Sequence, residues 1–179
     1  MFWESERLLY RHATMADVED LFRIYSDPRT QIYNPAGPHI DIEQSRKSLV
    51  NRITNTNIYG FNDWAIMTKK NPKHIIGFGG IFVGEFNGKL INNLGYRFET
   101  ASWGKGYATE LSKRAINYGF SEIGLQEIIG VTRENNIASK KVLEKSGMRF
   151  VERIMNDETL PAELIFSLSY DEWLTYKTN

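Results

Sequence analysis

Apolar positions recur along this chain with two different periods. From Arg7 to Ala13 the sequence alternates around Leu8, Leu9 and Tyr10, which predicts a first strand. Thr14-Met15-Ala16-Asp17 then sets a hydroxyl at an N-cap and a carboxylate three residues on, a capping-box variant. Val18, Leu21, Phe22 and Tyr25 follow at helical spacing until Ser26-Asp27-Pro28. Pro35, Gly37 and Pro38 mark residues 29–40 as loop. Asp41, with Gln44 three residues later, predicts a second helix carrying Ile42, Leu49, Val50 and Ile53.

Strand patterns come next. Asp63 to Met67 reads as one strand, Asn71-Pro72 as a turn, and His74 to Phe86 as a long strand. Asn87-Gly88 is a strong hairpin signal, and Leu90 to Phe98 pairs back, with Gly95 suited to a bulge or a close backbone approach. A helix runs from about Gly106 to Ile123, bearing Ala108, Leu111, Ala115, Ile116, Phe120 and Ile123, and Gly124 caps it. Glu127 to Thr132 is strand-like. Asn136 caps a further helix that Gly147 ends, Met148 to Ile154 and Glu163 to Ser169 are two last strands, and a short amphipathic segment begins at Asp171. The order β-α-α-β-β-β-α-β-α-β-β is an α/β arrangement with a mixed sheet.

A length of 179 residues predicts one domain spanning 1–179, large enough for a core without staples. Lys plus Arg and Asp plus Glu both number 22, so net charge supplies no global attraction to nucleic acid or an anionic membrane. The absence of Cys excludes disulfides, thiolate metal sites and Cys nucleophiles and fits a reducing cytoplasm. The 3 His lie far apart at His12, His39 and His74, and no metal site is expected. The start at Met1 lacks a signal-peptide pattern. The longest apolar run, Ile75 to Gly84, is about half the ~20 residues of a membrane span.

The chemistry concentrates in Tyr96-Arg97-Phe98-Glu99-Thr100-Ala101-Ser102-Trp103-Gly104-Lys105-Gly106-Tyr107-Ala108-Thr109-Glu110, where a strand, a glycine-containing loop and a helix start succeed one another. Amides at such a start have no intrahelical acceptor, and with the helix dipole they form a place for phosphate. Gly104 and Gly106 let the backbone approach a ligand, and Ala108 keeps the first turn thin. Read without a partner, the same segment is a turn that starts a helix. A nicotinamide site would use Glu127, about 20 residues beyond Gly106. That acid belongs at a strand's end, whereas Glu127 starts its strand, and Thr109 stands where the third glycine would be. A nucleoside-triphosphate loop lacks its Gly-Lys-Ser/Thr run.

Trp103-Gly104-Lys105-Gly106-Tyr107-Ala108 resembles the pyrophosphate loop of the GCN5-related N-acetyltransferases, the GNAT family, with Trp103 where the wider family has Arg or Gln. The Trp-Gly-Lys-Gly-Tyr-Ala-Thr-Glu run is similar to the branch that acetylates ribosomal-protein N-termini. Glu6 to Arg11, Leu94-Gly95-Tyr96 and Asn136 to Met148 resemble further motifs of that branch, in order along nearly the whole chain.

The resemblance implies a GNAT fold with splayed central strands and acetyl-CoA as cosubstrate. The main chain of Tyr96, Arg97 and Phe98 would pair with the pantetheine arm. Trp103, Gly104, Lys105, Gly106, Tyr107 and Ala108 would hold the pyrophosphate, and Asn136 would bond the pantetheine while capping its helix. An amine would attack the thioester directly, with backbone donors facing the developing oxyanion. Leu143 occupies the position of the wider family's acidic Tyr, so Ser139 is the candidate acid. Asn93 stands where branch members carry Glu, which moves the candidate base to Glu85, then Glu99, or to a water relay. The acceptor end would use Tyr33, Asn34 and Trp64, for a peptide or small-molecule amine. The expected state is monomer or homodimer in the cytoplasm. A non-catalytic acyl-CoA-binding module is the alternative that Leu143 and Asn93 keep open.

Overall fold

A computed structural model describes residues 2–156 and 158–177. The start of the N-terminal reading at Met1 and the last residues of the 1–179 span lie outside them. The strands are β1 (Trp3–Glu4), β2 (Leu8–His12), β3 (Trp64–Thr68), β4 (Asn71–Phe86), β5 (Lys89–Phe98), β6 (Glu127–Arg133), β7 (Arg149–Ile154) and β8 (Glu163–Ser169). The helices are α1 (Val18–Tyr25), α2 (Ile42–Tyr59), α3 (Tyr107–Tyr118), α4 (Ile137–Lys145) and α5 (Tyr170–Lys177). Strands hydrogen-bond in the order β1-β2-β3-β4-β5-β6-β8-β7, and the sheet is mixed, as expected. The chain forms two compact units. One holds the residues up to Gly80 with Tyr96–Leu111, the other Ile81–Gly95 with the residues from Ser112 onward.

In the first unit the sheet is antiparallel from β1 to β4. Thr14 and Asp17 cap the turn before α1 as expected, the Asp17 carboxylate accepting from the Thr14 amide at 2.7 Å. Asp17 is also buried in a fork of two bonds from Arg11, 2.7 and 2.6 Å long. Burial pushes the Asp17 carboxyl up, and the Arg11 and Thr14 bonds outweigh it, so its pKa lies below the ordinary range. Val18, Leu21 and Ile24 of α1 pack with Leu49 of α2 and with Ala65, Met67, Ile75 and Phe78 of the sheet. Asp41 caps α2 by accepting from the Gln44 amide at 2.9 Å. Val50, expected on an apolar face of that helix, is exposed instead.

The turn expected at Asn71-Pro72 falls at Lys69-Lys70. Thr68 pairs with Asn71, and the Asn71 amide donates to Thr68 Oγ1 at 3.1 Å, which closes a two-residue loop. Pro72 is accommodated at the exposed start of β4, where a missing N–H costs little. β1 was not legible in the pattern. Its two residues pair with Tyr10 and Leu9, and Trp3 stacks on Trp64 with ring centroids 5.5 Å apart.

In the second unit, Asn87 and Gly88 join β4 to β5 with φ of 49° and 75°, the doubly left-handed turn favoured in tight hairpins. β5 meets β6 in parallel at Asn93↔Ile129, and β6-β8-β7 continue antiparallel. The helix expected to run to Ile123 ends as α-helix at Tyr118 and widens into a π turn over Gly119–Ile123. There Gly119 lies so near the Ile81 side chain that an added Cβ would sit 2.6 Å from it.

Glycines also set the spacing between β4 and the end of β5 in the first unit. A Cβ on Gly79 would lie 2.5 Å from Tyr96 Cβ, 2.8 Å from Tyr96 Cα and 2.8 Å from Leu111 Cδ2; the leucine tip can turn away, but the Tyr96 atoms yield only if the backbone moves. Gly79→Ala is expected to lower unfolding free energy by about 1–3 kcal/mol in urea denaturation, the usual range for overpacking. Gly84→Ala, whose nearest contact would be 3.4 Å, should fall short of that loss. Equal midpoints for the two variants would contradict the packing described.

Candidate active site

The glycine loop is built by tying both of its ends down. At the strand end, the Glu99 amide donates to Ile76 O at 2.9 Å. The Glu99 carboxylate is gripped by Arg23 at 2.5 Å and His74 at 2.9 Å. A single 3-10 turn over Thr100–Ser102 follows, and the half-exposed Trp103 donates its indole N–H to Phe98 O at 3.0 Å. Gly104 and Gly106 both take left-handed φ, 73° and 79°, a conformation that side chains with a Cβ resist. A Cβ at Gly104 would meet nothing within 4 Å, so the backbone there is open to an incoming group.

At the helix end the first intrahelical bond runs from the Glu110 amide to Gly106 O, at 3.1 Å. The amides of Gly106, Tyr107 and Thr109 precede it and carry the positive end of the α3 dipole. Arg7 locks this end. Its guanidinium donates to Glu110 Oε2 at 2.7 Å and to Lys105 O at 2.9 Å, and lies 4.9 Å from the Tyr107 ring centroid. The Arg7 amide and the Ser5 hydroxyl donate to Glu110 Oε1 at 2.7 and 2.6 Å. Neither Arg7 nor Glu110 was singled out in the sequence as a loop holder, although both lie in motifs quoted above. Opposite charge in two segments about a hundred residues apart was the available signal.

Tyr96 and Phe98 side chains lie against Gly79 and Gly77, where added Cβ atoms would approach within 2.5 and 2.7 Å. Arg97, between them, points to the other face by strand alternation and sits with its guanidinium 4.7 Å from the Tyr25 ring centroid. The acceptor candidates divide. Tyr33 is exposed. Asn34 braces its own loop, donating to Gln31 Oε1 at 2.9 Å and Gly37 O at 3.2 Å and accepting from the Ala36 amide at 3.2 Å. Trp64, the third acceptor candidate, has little exposure of its own. It is 1% exposed, between Trp3 and Tyr10, and serves the core of this unit.

The second unit carries Glu85, Asn136 and Ser139. Glu85 is exposed near the end of β4, two residues before Asn87. Asn136 caps α4, its Oδ1 accepting from the Ser139 amide at 3.1 Å, while its Nδ2 makes no hydrogen bond among the described residues. Ser139 is half-buried in the first turn of α4. Leu143 is buried against Gly130, whose added Cβ would lie 2.7 Å from a Leu143 methyl, so this position is committed to packing.

The described geometry, a strand end followed by a left-handed glycine loop and a helix start, agrees with the likenesses to known proteins. Residues 7–149 match the family model described as "Acetyltransferase (GNAT) domain". An uncharacterized N-acetyltransferase, p20 of Bacillus licheniformis, is 29% identical over 140 residues, covering 78% of this chain and 77% of that protein. Among solved structures, a GNAT-family acetyltransferase from Bacillus anthracis has a TM-score of 0.79 at 24% identity, over 96% of this chain and 99% of that one. RimL, a ribosomal L7/L12 α-N-protein acetyltransferase in complex with coenzyme A, also has a TM-score of 0.79, at 15% identity over 96% and 99%. The structural likenesses establish the fold, and the matched model establishes the family. The chain belongs to the GNAT acetyltransferases and is an enzyme of that class. Among the described residues no helix is long and apolar enough to cross a membrane.

Glu110 makes the loop's integrity pH-dependent. Burial pushes its carboxyl up, but the bonds from Ser5, the Arg7 amide and the Arg7 guanidinium prevail, and its pKa lies below the ordinary range. A depressed carboxylate contributes stability that is present above the unfolded value, about 4.3 for Glu, and is lost as pH falls through the folded value. Glu110→Ala should therefore cost about 2 kcal/mol at pH 7, the scale of hydrogen bonds to a charged group. In denaturant titrations the gap to the parent protein should shrink below pH 4. A gap that is absent at pH 7, or constant with pH, would contradict this.

Proposed function

We propose that the protein transfers an acetyl group from acetyl-CoA to a primary amine, on a peptide N-terminus or a small molecule, by direct attack of the amine on the thioester. The observation that carries this reading is the loop Trp103–Gly106. Its two glycines hold left-handed φ, Gly104 faces open space, and Arg7 and Glu110 clamp it to the start of α3. A diphosphate fits such a loop, because it asks for several convergent N–H donors and close approach of the backbone. The positions that match the family motif, Trp103 through Ala108, are the proposed diphosphate holders, with Lys105 adding a mobile positive charge. The main chain of Tyr96, Arg97 and Phe98 is proposed to pair with the extended arm of the carrier, as a strand pairs with an edge. In the second unit Asn136 caps α4 through its Oδ1, and its match to the family motif makes it a proposed pantetheine ligand.

Acetyl-CoA supplies the activated acyl group. An alkylammonium has a pKa near ~10.4, so the nitrogen must give up a proton before or during attack. Glu85 is the proposed acceptor of that proton. As the C–N bond forms and the C–S bond breaks, main-chain amides at the end of β5 donate to the acyl oxygen where charge develops. The Ser139 hydroxyl is proposed to protonate the departing sulfur and to recover its proton from solvent.

Calorimetry with acetyl-CoA and an assay of thiol release over a panel of amines test the reading together. Saturable binding and amine-dependent release of free thiol are expected, and failure to bind acetyl-CoA would overturn it. Gly106→Ala, which strains the left-handed position, should weaken acetyl-CoA binding at least tenfold. Ser139→Ala should lower kcat at least tenfold with far less effect on acetyl-CoA affinity, and unchanged turnover would remove Ser139 from the acid role. Glu85→Gln should lower kcat at least tenfold with far less effect on acetyl-CoA affinity; kcat within twofold of the parent would remove it as base.

A further inference from the structure

The first unit holds two arginines on one tyrosine and only one carboxylate to answer them. The Tyr25 ring has the Arg97 guanidinium 4.7 Å from its centroid and that of Arg52 at 5.5 Å. Arg52 is neutralised. It donates to the buried Asp63 carboxylate and, at 2.8 Å, to the Tyr25 hydroxyl. Arg97 is not. Among the described residues its guanidinium makes no hydrogen bond and no ion pair, and it rests over the Tyr25 ring.

The nearby carboxylates are already committed. Glu99, two residues along, is held by Arg23 and His74. Asp20 is held by Arg23, and Asp41 caps α2. His39, whose ring centroid lies 5.2 Å from that of Tyr25, offers no negative charge and shares its Nδ1 with Ser45 Oγ at 2.7 Å. Burial first, then the charges of Arg97 and Arg52, outweigh Asp41 and hold the His39 pKa below its usual value, so the ring is neutral at pH 7. The Arg97 guanidinium is therefore left without a carboxylate partner of its own, half-buried beside an aromatic ring. A guanidinium so placed is organised to take a planar oxyanion through two parallel N–H bonds, with less loss of freedom than a flexible lysine would suffer.

Arg97 lies on the face of β5 opposite Tyr96 and Phe98, toward α1 and α2. If the main chain of these three residues holds the acyl carrier's arm, as proposed above, Arg97 reaches from the reacting strand toward the acceptor. The geometry points to an acceptor amine whose own molecule carries a carboxylate, received by the Arg97 guanidinium. This inference rests on the proposed acetyl transfer for its site. The carboxylate has two sources, the α-carboxylate of a free amino acid or an acidic side chain beside a peptide N-terminus. Arg97 is then a specificity residue for the amine, separate from the amides that hold the diphosphate.

The test compares matched acceptors by kcat/KM for thiol release. One arm sets free amino acids against the corresponding amino-acid amides. The other sets short peptides with Glu at the second position against the same peptides with Gln. In the arm that carries the true source, the acidic member is expected to be favoured at least tenfold. Arg97→Gln should collapse that ratio to within threefold, and Arg97→Lys should restore part of it. Equal loss for both members of every pair, or no preference in either arm, overturns the inference. A fall in acetyl-CoA affinity that accounts for the lost turnover overturns it too, because the guanidinium would then serve the carrier.

A binding experiment separates this inference from the transfer reaction. N-acetyl amino acids and N-acetyl amino-acid amides are titrated into the parent protein and Arg97→Gln, and into both with coenzyme A present, followed by NMR. Carboxylate-dependent binding lost in Arg97→Gln supports the receptor even where no tested amine is acetylated. Identical binding of acid and amide contradicts it even where acetyl-CoA is turned over.

Discussion

The grip of Arg7 and Ser5 on Glu110 is the constraint on which the account of this enzyme rests. A left-handed glycine loop is intrinsically mobile, and a helix start repels nothing that would keep it in one place. Here the Glu110 carboxylate, 13% exposed, collects a hydroxyl, a main-chain amide and a guanidinium, and the same guanidinium bonds the Lys105 carbonyl inside the loop. Loop and helix start are thereby fixed to the segment that enters β2. An anion arriving at the loop meets donors already oriented, so little ordering entropy is lost on binding. The carboxylate that organises the donors lies one turn into α3, beyond the amides themselves.

The same unit repeats the device of pairing an acid to an arginine. Arg11 holds Asp17 at the start of α1, Arg23 holds Glu99 at the end of β5, and Arg52 holds Asp63 before β3. Each pair secures an end of a secondary-structure element. Against this pattern Arg97 stands out, since it is on that strand and has an aromatic ring where the others have a carboxylate. Arg97 is thus left without a bonded carboxylate where an acceptor is proposed to enter.

Much of the fold was legible in local chemistry. Asn87-Gly88, Asp41 with Gln44, Thr14 with Asp17, and Gly124 each enforce a backbone event within a few residues, and each is found where its chemistry places it. What escaped depended on partners distant in sequence. β1 is two residues long and exists because Trp3 stacks on Trp64; nothing periodic can be read in two residues. The turn expected at Asn71-Pro72 moved to Lys69-Lys70 because the Thr68 hydroxyl accepts the Asn71 amide, a preference that outweighs the turn propensity of proline. Trp64 packs between Trp3 and Tyr10, partners that lie far from it in sequence. For the site, the glycine loop was legible because its residue types are dictated by backbone conformation. The roles of Arg7, Glu110 and Arg97 were not, because a charge's role depends on which opposite charge folding brings near it.

The proposed function stands or falls with the reception of a diphosphate by main-chain amides of the clamped loop. Amide chemical shifts of Gly104, Gly106, Tyr107 and Thr109, followed by NMR while coenzyme A or pantetheine is added, read this out residue by residue. Large shifts are expected at these amides with coenzyme A and none with pantetheine, which lacks the diphosphate. Loop amides that ignore coenzyme A, or that respond equally to both, would contradict it.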